Sequence, residues 1–413
     1  MESSDLIMDS QYVTNSSNIV ESRYVVSSCL YRQGSRYIFG STFGGASEFL
    51  IRGNLVYESK RVFESQLIMQ SGDAYLSHDC IGCDNIMFCF FQRNKRNCIG
   101  NLELPNNKYA ELKNKLLKEI VEELEKLKKF STLFSMVPDK KPPKELALEI
   151  PKQKEEENME IIEKSFLSTF KTVLKKEPVG LDKYEKWLSK HTIRLEEVES
   201  PFGNKTCLPK DMIDAIFLQV PRNRVVSFIE GIELGKLRMD EKDLDSIEKI
   251  KHALEKIGYF SAELVVGHTR NCIKAPILYH ASNVYNNYDS TYSEYAGINS
   301  MSLNCKYIFG CGRMLYSQFC INCYNSLHLN RCFETDTSEK CSDAYFCHNS
   351  EGLAEAMFCF NIKGKRHVIG NLEVKRDRYI DIKNAVLEQI TDELEKTGSF
   401  RYDIFNIGCK GGG

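Results

Sequence analysis

The sequence predicts a mainly β protein with α: two parallel β-helix (β-solenoid) modules of about 18 residues per coil, each followed by an amphipathic helix, with a helical domain between them. Three observations predict it. The chain carries an internal duplication at a fixed offset, each copy has a period of six residues, and turn residues do not recur where a hairpin meander needs them.

Residues 35–130 align without a gap onto residues 305–400 at a constant offset of 270, and 36 of the 96 paired positions are identical. Average residue usage gives roughly one in seventeen. Tyr37-Ile-Phe-Gly40 returns as Tyr307-Ile-Phe-Gly310, Met87-Phe-Cys-Phe90 as Met357-Phe-Cys-Phe360, and Ile99-Gly-Asn-Leu-Glu103 as Ile369-Gly-Asn-Leu-Glu373. The copies are read as solenoids over 1–104 and 263–374.

Within a copy, every sixth residue from Ser35 is small: Ser35, Ser41, Ser47, Gly53, Ser59, Ser65, Ser71, Ser77, Cys83 and Cys89. The second copy keeps the phase with Cys305, Cys311, Ser317, Cys323, Leu329, Thr335, Cys341, Cys347, Leu353 and Cys359. Four positions on runs a mostly large apolar column (Phe39, Ile51, Tyr57, Phe63, Met69), preceded by another (Ile38, Leu50, Val56, Val62, Ile68). A helix cannot use this period, because six residues is about 1.67 turns and the small column wanders around the cylinder. A parallel solenoid can: three faces of six give a triangular coil with equivalent residues stacked about 4.8 Å apart. Strand alternation then points the small column and the large one four places on into the bore together. Ser35, Gly53 and Ser71 are accordingly expected to lie over one another. A sandwich with fortuitous periodicity is the alternative.

Sixteen cysteines in a chain of this length, with no secretory features, are read as thiols rather than a disulfide framework. On an 18-residue coil Cys305, Cys323, Cys341 and Cys359 form one file, which makes them the metal candidates, since stacked thiolates suit a soft ion. A straight file does not converge on a tetrahedron, and the first-copy counterparts are Ser35, Gly53, Ser71 and Cys89. Small volume is the property they share, so packing is the preferred reading and no cofactor is expected.

Tyr109, Leu112, Leu116, Leu117, Ile120 and Leu124 mark a helix within 105–137, and Tyr379, Ile382, Val386, Leu387, Ile390 and Leu394 its counterpart within 375–400. Both are read as caps over solenoid ends, where backbone groups lack partners; the rival is an association helix. Residues 138–158, charged and containing proline, read as a linker, 159–262 as a helical middle domain, and 401–413 as a tail ending in Gly411-Gly-Gly413.

Lys and Arg number 55 against 57 Asp and Glu, a formal charge of −2, so charge gives no indication of nucleic-acid binding. No apolar run reaches the roughly 18 to 20 residues of a membrane helix, and the N-terminus lacks signal-peptide regions. The expected setting is the cytoplasm, or a virus-like particle assembled there, with no membrane. No nucleophile elbow, Walker loop, dinucleotide fingerprint or HExxH helix is present. His78 and His348 are the histidines retained in both copies. The period resembles that of hexad-repeat acyltransferases, a resemblance that implies a histidine general base beside an acyl-carrier cleft and makes these two the catalytic candidates. A partly exposed histidine at a coil corner is the plainer reading.

Asn283-Val-Tyr-Asn-Asn-Tyr-Asp289, Cys320-Ile-Asn-Cys-Tyr-Asn325 and Gly364-Lys-Arg-His-Val-Ile-Gly-Asn371 carry a further resemblance. With these stretches the second copy resembles uncharacterised Cys/Asn/Tyr-rich β-solenoid repeat proteins of candidate-phylum bacteria, small-genome archaea and large phages. Repeats of that family close with Lys-x-Tyr-x-Ile-x-Asn and a Tyr- and Glu-rich helix. Lys365, Ile369 and Asn371 match, while His367 and Asn97 stand where the tyrosine would be. The resemblance implies a solenoid and no established activity. The functional expectation is a non-enzymatic scaffold that uses the duplicated solenoids for self-assembly or protein-partner binding. Acyl transfer and thiol-ladder metal binding are the alternatives.

Overall fold

The computed structural model describes residues 4–142, 149–152, 158–210 and 219–408, so Gly411–Gly413 and parts of the expected linker lie outside the described residues. The chain divides into two compact units. The first comprises residues 1–153, 199–206 and 215–262; the second comprises 154–198, 207–214 and 263–413. The helices are α1 (Asn106–Leu127), α2 (Leu133–Met136), α3 (Met159–Leu174), α4 (Leu181–Leu188), α5 (Phe228–Leu234), α6 (Ile247–Ile257) and α7 (Arg376–Thr397). None of them is long and apolar enough to cross a membrane.

In the first unit, four-residue strands follow one another at six-residue intervals: Arg36–Phe39, Thr42–Gly45, Glu48–Ile51, Asn54–Tyr57, Lys60–Phe63 and onward. Their parallel partners are alternate strands. Lys60 lies against Glu48 and Gly72, Val62 against Leu50 and Ala74, and Gln66 against Asn54 and His78. The winding is therefore solenoid-like, but its coil has 12 residues in two halves, which corrects the expected triangular coil of 18. The backbone supplies the reason. Every third residue has positive φ, as at Ala46 (52°), Phe49 (59°), Arg52 (55°), Leu55 (54°), Glu58 (50°) and Arg61 (53°). Four left-handed corners close the ring in two hexads, because each strand bends within itself as well as at its end. Such corners cost a residue with a side chain roughly 1–2 kcal/mol each, which the parallel ladders and the rails described next must offset.

The small residues consequently form two rails instead of one. Ser35, Ser47, Ser59, Ser71 and Cys83 make the first; Ser41, Gly53, Ser65, Ser77 and Cys89 the second. Ser35 and Ser71 share a rail, and Gly53 is on the other. Each rail hydroxyl joins two backbone groups. Ser59 Oγ donates to the Tyr57 carbonyl two residues back (2.7 Å) and accepts from the Ser71 N–H one coil on (3.1 Å). The expected pairing of columns in the bore also changes. Ile38, Leu50, Val56, Val62 and Ile68 point inward, whereas Phe39 and Ile51 face out, because a left-handed residue interrupts the simple two-residue alternation.

The last parallel strand, Arg96–Ile99, folds back on Leu102–Glu103 in an antiparallel pair, Ile99 opposite Leu102. That hairpin closes the edge. Helix α1, expected as an end cap, starts there and runs back along the flank. Lys113 Nζ lies 3.2 Å from Asp73, and the Phe130 ring beyond its C-terminus lies 6.1 Å from Phe63. A strap crosses the hairpin: Met239 N–H donates to the Gly100 carbonyl (2.9 Å), and Asn101 Nδ2 to the Leu237 carbonyl (2.9 Å). Gly100 permits this approach, having φ of 58° and leaving no room for a Cβ, which would sit 2.5 Å from Met239 Sδ.

The second unit repeats the 12-residue register, with Lys306 against Glu294 and Gln318. Helix α3 lies across strands Ser282–Tyr285, Glu294–Gly297, Lys306–Phe309, Gln318–Ile321 and Asn330–Asp336. Phe166 packs edge-on to Phe309 (5.3 Å), and Tyr345 Oη donates to the Val173 carbonyl (3.0 Å). Trp187 of α4 meets Phe333, and Phe400 beyond α7 meets Phe346. Residues 159–262, read as one helical domain, are thus shared out: 159–198 lie in the second unit, 215–262 in the first.

Candidate functional site

His78 and His348 occupy equivalent positions and unlike surroundings. His78 is sealed among Phe90, Phe91 and Phe260, and its Nε2 accepts the Ser261 N–H at 3.0 Å. Its Nδ1 has no hydrogen-bond partner among the described residues. Burial pushes its pKa down to about 3, so at neutral pH it is an uncharged packing group that no substrate reaches. His348 is partly exposed, and its Nδ1 lies 2.9 Å from Asp336 Oδ2. Asp336 in turn accepts from Asn325 Nδ2 and Thr337 Oγ1, both at 2.9 Å. A histidine held by a carboxylate is one part of what an acid–base site needs. The Cys347 thiol beside it is buried and donates to the Tyr345 carbonyl. A groove of the second unit is lined by Phe346, Phe358, Ile390 and Phe400, with Glu393 and Arg401, and His348 is not among its lining residues.

The four cysteines expected in one file stand on two rails. Cys305 and Cys341 share theirs with Ser317, Leu329 and Leu353; Cys323 and Cys359 share theirs with Cys311, Thr335 and Cys347. The 18-residue file is absent because the coil is 12. Leu329 and Leu353 also show that the bore admits a large residue where small ones flank it. The 15 described cysteines are free thiols, and burial pushes Cys305 up to about 12 and Cys89 and Cys347 well above the usual range. Among the described residues no three His, Cys, Asp or Glu side chains are grouped to hold a metal ion.

The feature that sequence reasoning missed is an outward column at the left-handed corners of one sheet. Tyr12, Tyr24, Tyr37 and Phe49 stack one per coil, with ring centroids 4.9, 4.8 and 4.9 Å apart and planes within 5°. The column continues as an Arg61–Asp73 ion pair (Nε to Oδ1, 3.0 Å) and an Asn85–Asn97 hydrogen bond. Its counterpart in the second unit reads Tyr295, Tyr307, Phe319, then Arg331 paired with Asp343. In the first unit the aromatic part is open to solvent, together with Phe39 and Ile51 beside it. A step of 12 from Tyr12 exposes the ladder in the sequence, but one extra residue between Ser28 and Ser35 breaks that count. No family model, curated protein or solved structure matches this chain.

Proposed function

We propose that this chain is a non-enzymatic scaffold whose duplicated solenoid modules present rigid faces for protein-partner binding or self-assembly, in the cytoplasm or in a virus-like particle assembled there. The carrying observation is the exposed ladder Tyr12–Tyr24–Tyr37–Phe49, with Phe39 and Ile51 alongside. Contiguous exposed apolar surface of this kind is uncommon on a protein that acts alone. The rails beneath hold each coil by side-chain as well as main-chain hydrogen bonds, so little ordering entropy remains to be lost on docking. Sedimentation of the purified protein, with cross-linking and capture in its native extract, tests the reading. A complex or a discrete oligomer is expected; a strictly monomeric protein that captures nothing refutes it.

One observation favours a second reading, acyl transfer: the His348–Asp336 contact. Turnover of an acyl-coenzyme A that is lost in His348→Ala would establish it, and a panel without turnover removes it.

A further inference from the structure

We infer that the uncovered sheet face of the first unit is a docking site for an amphipathic α-helix of another protein, one with an aromatic i, i+4 stripe and acidic flanks. The inference rests on the scaffold reading and specifies the class of partner.

The duplication shows what such a face accepts. Within residues 35–99 the strands of this sheet agree with their counterparts at 13 of 24 positions, against 1 of 16 (His78) on the opposite sheet. Tyr37, Phe39, Phe49 and Ile51 recur unchanged as Tyr307, Phe309, Phe319 and Ile321. In the second unit α3 lies over them, its Phe166 and Phe170 spaced i, i+4, and Phe309 and Ile321 are 0% exposed. In the first unit Phe39 is 40% and Ile51 48% exposed. The same side chains are kept where the covering helix is missing.

Elsewhere, loss of cover is matched by a polar replacement. Phe91 is buried against Gly231 of α5 and Gly235 just after it, whereas its counterpart, Asn361, is exposed. The apolar face of the first unit has undergone no such change. Its rings are stacked on one another, so they offer edges rather than the open faces on which a sugar or a base stacks. Edges side by side with Phe39 and Ile51 make an apolar floor for a helix. Arg23 and Arg36 flank it, exposed and making no ion pair among the described residues, which favours acidic residues on the incoming helix.

The probe is a fluorescent peptide with the sequence of residues 159–174, added to the full chain. Saturable binding is expected. A Phe39→Ser/Ile51→Ser chain should bind about tenfold more weakly or worse, with unchanged circular dichroism. A peptide carrying Lys164→Glu and Lys171→Glu should bind more tightly, and Arg23→Glu/Arg36→Glu in the chain should abolish that gain without touching the apolar floor. Absence of saturable binding, or binding indifferent to the serine substitutions, overturns the proposal. Concentration-dependent self-association of the chain that the same substitutions abolish overturns it in favour of a second copy as occupant. If the protein assembles or captures partners through another surface, the scaffold reading stands and this inference fails.

Discussion

A rail serine occupies little volume and also joins the carbonyl two residues back to the N–H of the next coil. Volume was legible in the sequence, because ten small residues in succession at one phase mark a position with little room. The hydroxyl's two bonds were not, because the same phase also holds glycine and cysteine. The two roles make different predictions. Ser59→Ala, smaller still, should destabilise by about 1–3 kcal/mol through stranded backbone groups, where volume alone predicts little change. Ser59→Leu should cost as much again for overpacking, because Val56 and Val62 stand where the smaller Ser326 and Cys332 flank its counterpart Leu329. Urea unfolding of both variants separates the two accounts. Buried titratable groups at the corners predict a pH profile. Glu334 accepts from Asn322 Nδ2 and the Ile404 N–H, both at 2.9 Å, and burial raises its pKa from 4.5 to about 8. The folded state holds that proton more tightly, so its contribution is complete below about pH 4.5 and is lost as pH rises through 8. Glu64, at the same position in the first copy, is raised to about 7 by burial and acts in the same sense. The wild-type urea midpoint should therefore fall between about pH 5 and 8, and Glu334→Gln should flatten the slope. If the variant keeps the full slope, Glu334 is not its source. His78 acts in the opposite direction: its stabilisation is present above pH 6.5 and lost as pH falls through about 3.

At the scale of the element, a period of six is equally a divisor of 12 and of 18, so the hexad fixed the existence of coils without fixing their number of sides. What sets the number of sides is that a corner falls at every third residue rather than every sixth, and its trace in the sequence is weak. Asn283, Asn286, Asn304, Asn322 and Asn325 all occupy left-handed corners, the conformation asparagine tolerates better than most residues. Both long amphipathic helices were legible from their stripes, but a stripe shows which face is buried and not what it meets. That is why α1 was expected over an end and is found along a flank. For α3 the neighbour is now known, and Phe166 is its central contact, fully buried against Phe170, Tyr184 and Phe309. Phe166→Ala should cost about 3–5 kcal/mol and speed amide exchange in α3 and in the strands beneath it. Exchange accelerated uniformly across the first unit instead would show that α3 is not a local element of the second.

For the whole molecule, the region between the duplicated segments offered two helical patterns and turn residues at Ser200–Asn204 and Pro221, which composition alone groups into one domain. Contacts divide it, because α3 and α4 bury their aromatic faces on the second set of strands while residues 235–239 strap the hairpin of the first. No sequence period links a helix to the sheet it covers, so this part was not readable. The two-hexad coil carries one more implication. Each unit is a ruler graduated in dozens. Excising residues 48–59 should leave a folded protein, shorter by one graduation of about 4.8 Å, with Ser47 and Ser71 neighbours on one rail and Ser41 and Ser65 on the other. Excising only 48–53 should be ruinous even though it removes less, since every later strand would change sides relative to the earlier ones and the Arg61–Asp73 pair would leave the column that Tyr12, Tyr24 and Tyr37 begin. Thermal melts of the two deletions decide the matter. Strands can be gained or lost by such a chain only in pairs, as whole turns of the winding, and an odd strand acts as a frameshift of its surface.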